Sequence, residues 1–383
     1  MTEENTSSTH PPLLPTTEDD RFAWLRLLRS RRVGISTFYR LLTEHGTAQK
    51  ALAALPEVAR AAGVRDYEIC PAGVIDAEIK AAKAARARLL CLGDPDYPTL
   101  LAQLADAPPM LWAVGNPALM SRPVIALVGA RNASSLGTRM ARALAHELGE
   151  HGYCVVSGLA RGVDTAAHIG AIGTGTIAVL AGGVDVIYPA ENSALAQDIA
   201  ATGLLVSEQA MGTTPQARHF PCRNRIISGL AQAVVVVEAA VKSGSLITAR
   251  DALDQGREVL AVPGHPFDAR ASGCNLLIRD GATLVRNAED VIAALPDMTE
   301  PVIPAQRDLL SDLPPPPPER RGLAETARLH EQILSRLGPS PVAEDQLIRD
   351  LDESAGNVGP VLVDLELDGK IRRQSGGLLS LET

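Results

Sequence analysis

The densest chemistry in this chain lies in the string ARHFPCRNRIISGL, Ala217 to Leu230. It sets Arg218, His219, Arg223 and Arg225 around one aromatic residue, Phe220, with Asn224 among them. A guanidinium grips phosphate through two parallel N–H donors, and an aromatic ring offers a face on which a base stacks. That combination suits single-stranded nucleic acid, whose bases are free to stack, better than a duplex. With only four Phe in 383 residues, one placed beside three arginines is hard to ascribe to a solvated charged loop. The string reads as a loop that leads into a helix.

Glycine-rich segments carry the second signal. GARNASSLG (Gly129 to Gly137), SGLARGVDTAAH (Ser157 to His168), AGGVD (Ala181 to Asp185) and KSGSLITA (Lys242 to Ala249) each follow an apolar run, and the first, second and fourth open helical patterns. Glycine lets a ligand approach the backbone, and a helix N-terminus supplies N–H donors and a positive dipole end. Four such loops at the carboxyl ends of strands predict a phosphate-accepting crevice.

Several tempting motifs fail on spacing. No G-x-x-x-x-G-K-[ST] loop occurs, since Lys242-Ser243 lacks the preceding glycines, which disfavours ATP hydrolysis. GTGTIA at Gly173 precedes its strand instead of following it. The histidines of HELGEH, His146 and His151, stand five apart, about 140° around a helix, so they cannot share a zinc ion from one face. Asp164 and His168 share a helix start, where Asp164 is expected to cap and His168 to pack beneath.

The elements that must position these residues follow from periodicity. Between Pro123 and Leu295 the runs VIALV, YCVVS, TIAVL, GLLVSE, VVVVE and EVLAVP are continuous and apolar, as strands buried on both faces require, and helical stretches separate several of them. The fold class is therefore α/β, with a doubly wound, mostly parallel sheet. Before it, residues 21–75 repeat apolar side chains at helical spacing (Phe22, Leu25, Leu28; Phe38, Leu41, Leu42), with Val33-Gly34-Ile35 placed like a helix-hairpin-helix turn. Residues 1–20 read as a disordered lead-in, and residues 298–320, with five consecutive prolines from Pro314 to Pro318, as a semi-rigid linker. Residues 321–383 show helical periods closed by GKIRRQSGGLLSL, a hairpin pattern turning at Gly376-Gly377, which is the outline of a winged helix.

Composition bounds the rest. Forty-six per cent apolar residues exclude global disorder, and no apolar run approaches the roughly 18–20 residues of a membrane span. The first residues lack a basic-then-apolar leader, so a cytoplasmic location without membrane contact is expected. Five cysteines with no C-x-x-C pair give neither a disulfide nor a zinc framework. The net charge of −9 hides a segregation: residues 21–90 carry 13 basic and six acidic side chains, residues 298–383 nine and 15. A polyanion would meet the first half of the chain or a focused site, and not the tail.

From Pro123 to Ala282 the motifs GARNASSLG, SGLARGVDTAAH, TIAVLAGGVDVIYPAEN, FPCRNRIISGL, SGSLITARDALDQGREVLAVPG and SGCNLLIRDGA occur in the order found in the DprA/Smf family of DNA-processing proteins, which this stretch strongly resembles. The resemblance implies an extended Rossmann-like core over residues 76–297, flanked by a small N-terminal helical, sterile-alpha-motif-like domain and a C-terminal winged-helix-like domain. It also implies a non-enzymatic role in natural transformation: a homodimer, free of cofactors, that binds and protects incoming single-stranded DNA, displaces single-strand-binding protein and loads the RecA recombinase.

By motif position, Gly129 and Arg131 would meet a phosphate, with Ala130, Ser134 and Gly137 in the same loop. Ser157, Gly158 and Gly162 would line the crevice. Arg218, Phe220, Arg223, Asn224 and Arg225 would hold base and backbone, while Lys242, Ser243 and Gly244 would close the far side. Residue 130 is Ala where Ser or Thr is frequent in the family, so a hydroxyl contact is lost there. The apolar run Leu276, Leu277, Ile278, Leu284 and Val285 is a candidate two-fold interface. Two alternatives are an enzyme resembling the nucleotide phosphoribohydrolases, whose P-G-G-x-G-T-x-x-E loop is not matched here, and a duplex-binding regulator acting through the acidic C-terminal module.

Overall fold

The computed structural model describes residues 14–295 except 63 and 65, and residues 323–381 except 339, 340, 352, 355–357, 360, 363, 364, 367–369 and 375–377. The expected linker and the Gly376-Gly377 turn lie outside the described residues. Contact density divides the chain into two units, Met1–Asp297 and Met298–Thr383.

The first unit opens with four helices, α1 (Glu18–Arg29), α2 (Ile35–His45), α3 (Ala48–Ala61) and α4 (Ala72–Ala84). Thr17 caps α1 and Asp20 answers from its first turn, so the last three residues of the expected disordered lead-in are helical. Phe38, Leu25, Leu27, Leu41 and Leu42 are fully buried, and they belong to the same apolar core as the inner face of the sheet. The Arg29–Glu78 ion pair, at 2.9 Å, sits on this seam, and Glu78 also accepts from Trp112 Nε1 at 2.8 Å.

The sheet follows: β1 (Arg88–Cys91), α5 (Thr99–Ala102), β2 (Met110–Gly115), β3 (Val124–Val128), α6 (Ser135–Glu150), β4 (Cys154–Ser157), α7 (Val163–Ala171), β5 (Thr176–Val179), α8 (Ser193–Thr202), β6 (Leu204–Ser207), α9 (His219–Leu230), β7 (Ala233–Val236), α10 (Ser245–Asp254), β8 (Glu258–Ala261), α11 (Ser272–Arg279), β9 (Thr283–Leu284) and α12 (Ala288–Ala293). Nine strands lie in the order β1-β2-β6-β5-β4-β3-β7-β8-β9. The seven from β6 to β9 are parallel, while β1 pairs with β2, and β2 with β6, antiparallel. Every residue of β3 to β7 is buried, which is why these strands read as unbroken apolar runs.

Strand β3 pairs with β4 on one side and β7 on the other, so the direction of winding reverses between β3 and β7. In a doubly wound sheet the loops leaving these two strands part and leave a crevice at their carboxyl ends. The second unit contains α13 (Leu323–Arg336), β10 (Val342–Ala343), α14 (Glu344–Leu351), β11 (Ile371–Gln374) and β12 (Leu378–Leu381), with a three-stranded sheet β10-β12-β11 around its own core of Leu329, Ile333, Leu362, Leu365 and Leu379. This is the winged-helix arrangement.

Candidate nucleic-acid interface

The crevice at the β3/β7 switch is a cavity of about 730 Å³. Gly129, Ala130 and Arg131 after β3, Lys242, Ser243 and Gly244 after β7, and Phe220, Arg223 and Asn224 from α9 line it. Ser243, Gly244 and Ser245 lead into α10, whose first turn carries no acidic residue, so its N–H donors and positive dipole end sit at the crevice wall. The cations Arg131, Lys242 and Arg270 line the same cavity, Arg270 also paired with Asp268 at 3.1 Å, so cations gather at one site of a chain whose net charge is −9.

The string 217–230 is helical from His219 onward, contrary to the loop expected for it. Pro221 falls in the first turn of α9, where a missing N–H breaks no intrahelical bond. Helical spacing then sorts the side chains. Phe220, Arg223 and Asn224, at i, i+3 and i+4, share the crevice face. Arg225 is turned about 140° from Phe220. It lies in a different cavity, its guanidinium paired with Glu208 and donating to the Asp106 carbonyl, so it is removed from the expected contact set.

Arg223 is buried. Its Nη1 donates to the carbonyls of Gly158 and, at 2.9 Å, of Val179, and its Nε to Asn224 Oδ1 at 3.1 Å. Burial lowers its pKa to about 10, against the raising effect of Asp164, so it is charged at neutral pH. Burial also raises the pKa of Asp164, which lines the crevice and accepts from the N–H groups of Gly158 and Ala160. Arg223 therefore ties the ends of β4 and β5 to α9, and it supports the Phe220 ring, 5.9 Å from its guanidinium carbon. Its expected place at the crevice holds, but its donors are spent largely on the protein. Arg131 reaches the same ring from the other loop, at 5.0 Å. Phe220 thus presents an aromatic ring with two guanidinium groups close to it.

Other expected contacts sit elsewhere. Ser157 is fully buried and its hydroxyl donates to the Leu127 carbonyl at 2.7 Å. Gly158 packs against the Arg223 guanidinium, where a Cβ would clash. Gly162, at φ +78°, brings the second loop so close to the Ala130 carbonyl that no side chain fits. Ser134 and Gly137 line a neighbouring cavity of about 530 Å³. Arg218 is exposed, and its Nε donates to His219 Nε2 at 3.4 Å. Ser157, Gly158, Gly162, Ser134, Gly137 and Arg218 are thus outside the crevice lining, Gly158 lining the small cleft beside it.

Three residues missed in the sequence matter here. Glu238, just past β7 and buried, accepts from Ser134 N at 2.9 Å and Ser134 Oγ at 2.5 Å, which pins the Arg131 loop to the β7 loop. Arg270 enters the crevice from beyond β8, and Thr248 from the first turn of α10. Glu238 has a sequence signal, since an acid ending the apolar run VVVVE needs a partner when buried.

His168 is buried beneath the second loop as expected, while Asp164 caps that loop rather than its own helix. His168 Nε2 accepts from Leu159 N at 3.3 Å. The Thr176 hydroxyl is committed to the Val155 carbonyl at 2.9 Å, so His168 Nδ1–H donates to Thr176 Oγ1 at 2.7 Å and the ring is neutral. Burial lowers its pKa to about 3. A depressed basic group leaves stability intact above its unfolded pKa, and stability is lost as pH falls from about 6.5 toward about 3. Between pH 7 and pH 5 we expect His168 to remove about 2 kcal/mol of stability, read by urea unfolding at the two pH values. The drop should vanish in His168→Asn; an equal drop in that variant would assign it to other groups.

With the geometry in place, comparison with known proteins identifies the lineage. A family model described as DNA recombination-mediator protein A matches residues 88–296, a DprA-like N-terminal HHH domain matches 18–81, and a DprA winged helix domain matches 314–377. The chain belongs to the DprA/Smf family. It is 44% identical over 202 residues to the DNA processing protein DprA of Streptococcus pneumoniae, covering 52% of this chain and 71% of that one. With the Bacillus subtilis DNA processing protein DprA it is 45% identical over 209 residues, 54% of this chain and 70% of the relative.

Among solved structures, DprA of Streptococcus pneumoniae superposes with a TM-score of 0.62 at 35% identity, over 72% of this chain and 98% of that one. The Helicobacter pylori DprA structure, described for its single-stranded DNA binding mode, gives a TM-score of 0.51 at 30% identity, over 54% and 94%. The family and the Rossmann-like fold read from the motifs are thereby established. Among the described residues no helix is long and apolar enough to cross a membrane.

Proposed function

We propose that this DprA/Smf protein binds single-stranded DNA in the β3/β7 crevice, with one base on Phe220 and adjoining phosphates on Arg131, Lys242 and Arg270. The observation that carries the reading is the Phe220 ring in the lining of the cation-lined switch-point cavity, with the Arg131 and Arg223 guanidinium carbons 5.0 and 5.9 Å from its centre. A base stacks on such a face without regard to its identity, so binding is expected to be broadly sequence-tolerant. The family's DNA-processing role and the single-stranded DNA binding described for the Helicobacter pylori protein support it.

The finer reading is a cytoplasmic, non-catalytic homodimer that protects the strand, displaces single-strand-binding protein and loads RecA. Two sites on one strand raise the effective concentration of the second contact, which a single crevice cannot do. Support for the interface comes from α11 and β9. Leu276, Leu277 and Ile278 are half-buried, and Leu284 is 42% exposed on the edge strand of the sheet. Val285 is withdrawn from that surface, because it is fully buried in the core. Light scattering at micromolar concentration is expected to give twice the 40.3 kDa chain mass, and the protein to speed RecA assembly on strands coated by single-strand-binding protein. A single chain's mass with no effect on RecA would overturn this part.

A further inference from the structure

The geometry points to a second stacking subsite, built from Tyr188 and Arg161, that carries the strand beyond the crevice across the carboxyl ends of β4 and β5. The inference rests on the single-stranded reading above and extends it to residues outside the crevice. Tyr188 comes from the loop after β5 and Arg161 from the loop between β4 and α7. Both face a small cleft that adjoins the crevice, and Arg131 and Phe220 line the cleft and the crevice alike.

The Tyr188 and Phe220 rings stand with centroids 5.9 Å apart, tilted by 60°. At this tilt the Phe220 ring does not lie flat on Tyr188, so Phe220 does not cap the Tyr188 face on which a further partner would stack. Tyr188 is 52% exposed, although a large aromatic side chain gains by burial. Pro189 follows it in the lining of the cleft.

Arg161 supplies the charge such a subsite needs. Its side chain is 58% exposed and its Nη1 stands 3.8 Å from Glu191 Oε1, an exposed pair whose attraction is weak. A phosphate arriving beside Tyr188 exchanges for Glu191 at little cost, and the bidentate guanidinium geometry favours it. The cations then mark a track: Lys242 after β7, Arg131 after β3, Arg161 after β4, with Phe220 and Tyr188 as successive base platforms. The sheet order β7-β3-β4-β5 sets this line, so a strand lying across it meets the residues in that sequence.

The test is a ladder of oligothymidylates, from about two to about 12 nucleotides, titrated against the full chain and its variants. For lengths that reach the second platform, Tyr188→Ala is expected to weaken binding by about 5- to 150-fold, with the shortest oligomer that binds left unchanged. Tyr188→Phe should restore the longer lengths, and Arg161→Ala should lower their salt slope by about 0.7. If Tyr188→Ala binds every length as the unaltered protein does while Phe220→Ala is impaired, the second subsite is wrong and the crevice reading stands. Loss by Tyr188→Ala at all lengths, the shortest included, means that Tyr188 merely supports Phe220 and also overturns the subsite. If Phe220→Ala is unimpaired at every length, the crevice reading itself fails.

Discussion

Replacing Arg223 by alanine is expected to lower the stability of the first unit by about 3–5 kcal/mol, because it strips a buried cation from its partners and leaves Asp164 uncompensated. The Gly158 and Val179 carbonyls lose their guanidinium donors in the same step, and the ends of β4 and β5 lose their tie to α9. Arg223→Lys keeps the charge but has no planar fork to span two carbonyls and Asn224, so it should recover only part of the loss. The urea-unfolding midpoint at pH 7 reads both variants. Unchanged stability in Arg223→Ala would mean that the guanidinium is a solvent-facing phosphate ligand, as the sequence pattern suggested, and not a support for Phe220.

The second large effect concerns binding. Phe220→Ala should cost about 1–3 kcal/mol of affinity for single strands and leave the salt dependence almost untouched, since stacking releases no counterions. Arg131→Ala should weaken all sequences alike and flatten the slope of log K against log salt by about 0.7. The two losses should couple, because the Arg131 guanidinium carbon stands 5.0 Å from the Phe220 ring centre. Fluorescence titrations at three or more salt concentrations separate them. A salt slope changed by Phe220→Ala, or unchanged by Arg131→Ala, would exchange the roles assigned to these residues.

The sheet was legible because its central strands are buried on both faces and therefore appear as uninterrupted apolar runs, VIALV and VVVVE above all. Strands β1 and β2 were not. RLLC is too short to show alternation, and MLWAVG follows directly on Pro108-Pro109, which punctuates like a loop. Their pairing is antiparallel and contributed from outside the βαβ succession, so no neighbouring element announces it.

At the site, sequence composition found the aromatic and the cations but could not say which way each pointed. Placing these residues in a loop ahead of the helix gave Arg223 and Arg225 equal standing. The helix separates them onto different faces, one at the crevice and one with Glu208. The glycines show the same limit, since Gly158 and Gly162 are required for close packing against Arg223 and against the first loop. Glu238 and Arg270 lie far in sequence from the motifs they complete, and only the fold brings them to the loops after β3 and β7.

The central claim is that the crevice takes an unpaired strand. It is tested most directly by titrating the full chain with single-stranded and duplex DNA of equal length across a salt series. The account expects tighter binding of the single strand at every salt concentration, with log K falling by about 0.7 per log unit of salt for each phosphate neutralised. Equal or tighter binding of the duplex would contradict it.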